Sequence, residues 1–223
     1  MRQTKQVKAM MNKNNITAPI VTYARHRMGV DGQGVTTLVC FHGCSLRCAW
    51  CINSFTLDPD AKRQIMAPAE LYEKLKIDEL YFIATGGGVT FGGGEPLLYA
   101  HFIKEFRKLC GKEWHICAET SLAVPIENIK MAAECVDMFY VDCKDTNPEI
   151  YNHYTGGDCS LMLNNLKELL KIVSAERIMV RLPHIPDFNT DEDVKKSREL
   201  LSKMGITQFD EFNYIVRKKE PID

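Results

Sequence analysis

Three cysteines, Cys44, Cys48 and Cys51, sit in the segment CFHGCSLRCAWCINSF at spacings of Cys-x3-Cys-x2-Cys. Thiolates are soft ligands, suited to iron-sulfur clusters, zinc or copper. A structural zinc ion wants a fourth ligand. His42 lies only two residues before Cys44, an awkward reach, and Cys40 belongs to the preceding apolar run, where it reads as core. A cubane of four irons held by three thiolates instead leaves one iron with an open position, where chemistry can occur. Spacing alone leaves the cluster and the zinc readings both standing.

The second chemical segment is TGGGVTFGGGEPLL, residues 85–98, with two glycine triplets around a short strand run. Glycines let backbone approach a ligand closely and offer unblocked amides. A phosphate loop would need Lys and Ser/Thr after the last glycine. Glu95 and Pro96 stand there instead, and a carboxylate suits a bound ammonium. The plainer reading is a tight strand-to-helix turn with Glu95 at a helix start.

Alternating strand and helix runs must position these segments. TTLVCF (36–41), GVTF (88–91), WHICAE (114–119), VDMFYVDCK (136–144), RIMVRLP (177–183) and QFDEFNYIV (208–216) read as strands. Residues 68–82, 97–109, 125–134, 161–173 and 191–204 carry helical spacing. About six such rounds imply parallel strands with right-handed crossovers, in an open sheet or an incomplete barrel. Residues 1–20 are basic and weakly periodic and are expected to be poorly ordered or to form a peripheral strand, leaving 21–223 as a single domain.

Composition narrows the partners. The chain has 223 residues and is 45% hydrophobic, enough for one substantial core. Its 28 Lys+Arg and 29 Asp+Glu nearly cancel, so no bulk field favours nucleic acid or an anionic membrane. No apolar run reaches the ~18 residues of a membrane span, and the first twenty residues lack the apolar centre of a signal peptide. A cytoplasmic location is expected, where nine cysteines read as ligands or buried thiols rather than disulfides.

Taken together, VDGQGVTTLVCFHGCSLRCAWC (30–51), GGGVTFGGGEP (86–96), HICAET (115–120), VDMFYVDCKDTNPEIYNHYTGG (136–157) and VRLPHIPDFNTDED (180–193) resemble the radical S-adenosylmethionine (SAM) activating enzymes of glycyl radical enzymes, and within them the pyruvate formate-lyase type most. The resemblance implies an α/β fold, an incomplete (β/α)6 barrel (a partial TIM barrel), with the cysteine loop after the first parallel strand. It implies that Cys44, Cys48 and Cys51 hold a [4Fe-4S] cluster, and that Gly93, Gly94 and Glu95 receive the amino group of SAM. Trp50 and Ile52 match positions near the adenine. Asp142, Cys143 and Lys144 match an Asp-x-Lys segment that contacts SAM, and Arg181 matches a SAM-proximal arginine. Glu119, Thr120 and Asp142 stand where the family binds a monovalent cation, with Glu119 in place of the usual aspartate.

The implied activity is oxidoreductase chemistry: reductive cleavage of SAM, then hydrogen abstraction from a backbone glycine of a partner glycyl radical enzyme in anaerobic metabolism. A flavodoxin or ferredoxin would be the reductant. No cysteine lies between Cys51 and Cys110, so the ferredoxin-like insert of some relatives is not expected. Near the end, Asn213 and Ile215 flank Tyr214 where the family has a Pro-Tyr-His element, so one SAM contact and a closing helix are expected to be missing. Radical SAM chemistry on a small molecule or peptide is the alternative, and a non-catalytic zinc or iron-sulfur module a more distant one.

Overall fold

The computed structural model describes residues 16–214. Its eight strands are β1 (Ala18–Met28), β2 (Val35–Phe41), β3 (Gln64–Met66), β4 (Gly88–Gly93), β5 (His115–Thr120), β6 (Met138–Asp142), β7 (Ile178–His184) and β8 (Gln208–Asn213). They form one open sheet in the order β3-β1-β2-β4-β5-β6-β7-β8. From β2 onward every neighbouring pair is parallel. Six parallel strands in sequential order, each joined through helix, are the incomplete (β/α)6 barrel expected from the sequence.

Helices α1 (Pro68–Leu75) and α2 (Glu79–Thr85) precede β4; α3 (Ala100–Cys110), α4 (Ile126–Ala133), α5 (Pro148–Thr155) with α6 (Cys159–Ile172), and α7 (Asp191–Lys203) fill the later crossovers. Side chains alternate across each strand. Val39, Phe41, Val89, Phe91, Ile116, Ala118, Phe139, Val141, Val180 and Leu182 form the helix-side core and are almost wholly buried. Each large side chain buried this way contributes about 2–3 kcal/mol before packing terms are added. The opposite face is polar, and it is the face that carries the site.

Three elements depart from the sequence reading. β1 starts at Ala18 and lies inside the sheet, antiparallel to both β2 and β3. The short connection 29–34 allows this hairpin, so the sheet is mixed rather than purely parallel. Of the segment 1–20 expected to be peripheral, residues 1–15 lie outside the described residues. The single helix expected over 68–82 is divided by a 3-10 turn, Lys76–Asp78. There Asp78, fully buried, accepts from Arg25 Nε and Nη2 at 2.6 Å each, which ties the turn to β1.

The sequence reading also assigns no helix to 148–155, where α5 forms. Asn147 caps it by accepting from Glu149 N at 2.9 Å, Pro148 occupies the first turn, and Gly156 ends it in the left-handed conformation. β8 stops at Asn213; Ile215 and Val216, expected to extend it, lie outside the described residues. Among the described residues no helix is long and apolar enough to cross a membrane.

Candidate functional site

β2 ends at Phe41 and delivers the cysteine loop to the mouth of the parallel strands. The loop is held from two sides. Gly43 N donates to Thr56 O at 2.9 Å, while Arg47 N and Ala49 N donate to the carbonyls of Thr155 and Tyr154 at 2.8 and 2.9 Å. Those carbonyls close the last turn of α5, which would otherwise leave them unpaired. Cys48, between the two clamped amides, is thereby fixed against α5.

Cys44, Cys48 and Cys51 are unpaired and half-buried, whereas Cys40 and the five remaining cysteines, Cys110, Cys117, Cys135, Cys143 and Cys159, are buried. Burial pushes the Cys44 and Cys48 thiols up to about 11, so without metal both stay protonated at neutral pH. Loading a metal must displace those protons.

His42 is occupied elsewhere: its Nε2 lies 3.0 Å from Asp58 O and 3.2 Å from Arg63 Nη1. Cys40, 4% exposed, lies on the polar face of β2. Among the described residues, no three His, Cys, Asp or Glu side chains converge on a point for one metal ion. Three half-buried thiols on one loop, with no nitrogen or carboxylate donor joined to them, fit the donor set of a cubane with an open iron.

The glycine segment packs directly against this loop. Gly94 N donates to Phe41 O at 3.0 Å and Glu95 N to Gly43 O at 2.8 Å, extending the β2–β4 ladder past the end of both strands. Gly93 adopts φ 84, and a Cβ there would lie 2.6 Å from Cys40 Cβ. At Gly94 a Cβ would fall 2.0 Å from Gly43 O. Only glycine permits this approach.

Glu95 has another use than an open ammonium receptor. It is 1% exposed, and its carboxylate accepts from Leu97 N at 3.1 Å, Thr120 Oγ1 at 2.7 Å, Ser121 N at 2.8 Å and Ser121 Oγ at 2.6 Å. Four donors occupy the roughly four acceptor positions of a carboxylate. Burial raises its pKa and the four donors oppose that rise. Glu95 therefore ties the end of β4 to the end of β5.

Across the polar face, Glu119 on β5, Asp142 on β6 and Arg181 on β7 come together, with Asp142 in register with Arg181. Arg181 Nη2 donates to Glu119 Oε1 at 2.7 Å, and its Nη1 is 3.9 Å from Asp142 Oδ1. Asp142 Oδ2 also faces Lys144 Nζ at 3.2 Å. The Arg181 guanidinium stacks over Tyr140, 4.8 Å from the ring centroid, and Lys144 lies 5.9 Å from the centroid of Tyr214. Burial raises the pKa of Glu119, and Arg181 pulls it back.

Two carboxylates and two cations thus neutralise one another. Thr120 Oγ1 donates to Glu95 and accepts from Leu122 N at 2.9 Å, which leaves it a single lone pair. These residues do not fit a monovalent metal cation: the positive charge among them is supplied by Arg181.

Three sequence-selected residues stand apart. Cys143 is fully buried, its thiol turned into the helix-side core between the inward-facing Asp142 and Lys144. Its amide bonds Arg181 O at 3.1 Å. Trp50 and Ile52 are at the rim, 38% and 71% exposed, so Trp50 is not a core anchor. Trp50 meets Phe188 edge-on at 6.5 Å and its carbonyl accepts from the Tyr214 hydroxyl.

Residues that the sequence reading does not single out complete the wall: Arg27 paired with Asp31, and Tyr154 packed edge-on to Phe188, while Tyr151 one turn earlier is buried in the core. The tyrosines are readable as an i, i+3 pair once Asn147-Pro148 is recognised as a helix start.

A family model described as the radical SAM superfamily matches residues 38–201. The chain is 33% identical to the (2S)-3-sulfopropanediol dehydratase activating enzyme of Klebsiella oxytoca, over 72% of this chain and 69% of that protein. It is 30% identical to pyruvate formate-lyase 1-activating enzyme of Escherichia coli K12, covering 74% and 67%. It is 28% identical to pyruvate formate-lyase-activating enzyme of Clostridium pasteurianum, covering 87% of each. The crystal structure of Streptococcus suis SuiB bound to S-adenosylmethionine shares the fold at a TM-score of 0.62 and 13% identity, covering 82% of this chain and 45% of that one.

Proposed function

Because the chain belongs to the radical SAM superfamily, we propose that it is an activating enzyme that abstracts a hydrogen atom from a backbone glycine of a glycyl radical enzyme of the pyruvate formate-lyase type. The relatives named as activating enzymes, at about 30% identity over more than two thirds of the chain, support the finer reading. The observation that carries the site is the direct pairing of the three-cysteine loop with the glycine turn, Glu95 N to Gly43 O and Gly94 N to Phe41 O. This joins a cluster-binding loop to a ligand-binding backbone in one rigid unit.

When bound, the cluster and SAM supply one-electron cleavage of the sulfonium and abstraction of a hydrogen atom. The chain's own residues bind and orient. Cys44, Cys48 and Cys51 ligate the cluster, and the backbone of Gly93 and Gly94 receives the ammonium of SAM. Lys144 and Arg181 face its carboxylate end. Trp50 and Ile52, exposed beside Cys51, offer an apolar shelf for adenine. The domain works in a reducing cytoplasm, with a flavodoxin or ferredoxin as electron donor.

The test is anaerobic reconstitution followed by incubation with SAM, a low-potential reductant and a glycyl radical enzyme encoded beside this chain. A glycyl doublet in the EPR spectrum is expected. SAM cleavage without that signal would shift the reading to a small-molecule or peptide substrate.

A further inference from the structure

The residue that follows β8, Tyr214, reaches the cysteine loop with its side chain. Its amide donates to His184 O at 2.9 Å, which sets the residue at the end of the β7–β8 ladder. Its hydroxyl donates to the carbonyl of Trp50, 164 positions earlier in the chain. One hydrogen bond thus joins the last strand of the sheet to the loop that follows β2.

The bond matters because of what else holds that loop. The Cys48 end is fixed through two amides, Arg47 N and Ala49 N, on carbonyls of α5. Further along, the backbone bonds of residues 50–54 are local: Cys51 N donates to Cys48 O at 3.2 Å and Ser54 N to Cys51 O at 3.3 Å. Among the described residues, the Tyr214 hydroxyl is the only group from another part of the fold that hydrogen-bonds this stretch. A turn closed only on itself opens readily, whereas a tertiary bond fixes it against the rest of the site.

The surroundings of Tyr214 keep that bond in place. Its ring lies edge-on to Tyr154 at 6.4 Å, and Lys144 Nζ stands 5.9 Å from its centroid. Burial raises the pKa of its phenol, so the hydroxyl stays protonated and free to donate at neutral pH. The same side chain therefore borders Lys144 and holds the peptide between Trp50 and Cys51. In the proposed function these are the two ends of the SAM site, the carboxylate end and the adenine shelf.

We propose that Tyr214 is a positioning residue, whose hydroxyl fixes the Trp50–Cys51 peptide and with it the Trp50–Ile52 shelf relative to Lys144. This rests on the SAM site of the proposed function. Tyr214 acts through Trp50 and touches no reacting atom. Its hydroxyl is needed for the adenosyl half of SAM and not for the methionine half.

Tyr214→Phe tests this, because it keeps the ring beside Lys144 and removes only the donor. The full-length chain is compared with wild type by hydrogen-deuterium exchange before cluster loading, and by calorimetry with SAM and with methionine after anaerobic reconstitution. Amides 51–54 of the variant are expected to exchange about fivefold faster, the factor that one net hydrogen bond carries, while those of Arg47 and Ala49 keep their rates. SAM should bind about fivefold more weakly at full iron content, and methionine as in wild type. Unchanged exchange at 51–54, or unchanged SAM affinity, would overturn the inference while leaving the SAM site standing. An equal loss for SAM and methionine would also overturn it, as a general change in packing. Wild type that holds iron but binds no SAM would overturn both the inference and the reading beneath it. Should Tyr214→Phe fail to hold iron, exchange before cluster loading decides: faster rates confined to 51–54 support the proposal and unchanged rates overturn it.

Discussion

Arg181→Met should destabilise the metal-free protein by about 3–4 kcal/mol, because it strands a buried carboxylate. The Arg181–Glu119 contact is 2.7 Å, and the two side chains are only 17% and 16% exposed. With charge centres ~4 Å apart and an effective dielectric near 20, the lost attraction is about 4 kcal/mol. Asp142, 3.9 Å from the guanidinium, then adds repulsion rather than sharing the cation. Partial exposure trims this figure, and protonation of Glu119 limits it.

That limit sets the pH dependence. Burial already holds the Glu119 pKa above its ordinary value, and removing Arg181 takes away the charge that lowers it. A carboxyl whose folded pKa is raised contributes stability that is fully present below its unfolded pKa and is lost as pH rises through the folded one. The deficit of Arg181→Met should therefore grow with pH above ~4.5 and be small in acid. Urea unfolding of the metal-free protein across pH 4.5 to 8 measures it, and the Glu119→Gln/Arg181→Met double variant should recover about half the loss. A single variant within ~1 kcal/mol of wild type at pH 8, or a double variant no better than the single, would refute the claim that Arg181 neutralises this acidic pair.

Other expectations follow from the same geometry. Alanine at Cys44, Cys48 or Cys51 should abolish iron retention after reconstitution, while alanine at Cys40 or His42 should leave it near wild type, since one is on the sheet face and the other is engaged with Asp58 and Arg63; iron analysis and the visible spectrum check this. Gly94→Ala should cost about 1–3 kcal/mol and weaken SAM binding, because its Cβ would overlap Gly43 O at 2.0 Å; calorimetry with SAM on reconstituted protein reads it. Replacing sodium by potassium or tetramethylammonium at constant ionic strength should leave SAM binding unchanged in wild type, since Arg181 already stands between Glu119 and Asp142.

The parallel strands β2 to β7 were legible because each is a short run with apolar residues buried on its helix side, and the cysteine and glycine segments because their chemistry depends on spacing within one loop. β1 escaped the same reading: TYARHRM mixes polar and apolar residues without clean alternation, and the strand carries two register shifts against β2. What spacing cannot carry is the choice of distant partner. Glu95 is satisfied by Ser121, 26 residues on, and Glu119 by Arg181, 62 residues on, and neither pairing leaves a local mark.

Those two pairings change what the glutamates mean. Each carboxylate, met in the sequence, suggests a receptor for a positive ligand, and each, met in the fold, has its acceptor positions or its charge already taken by the protein. A site that filled both needs internally spends its ionic groups on holding strand ends in register. Under the proposed function, recognition of SAM would fall to the glycine backbone and to Lys144 and Arg181. On this view Ser121 matters to SAM binding although it lies outside every motif, because Glu95, which it helps to hold, fixes the turn that Gly93 and Gly94 present.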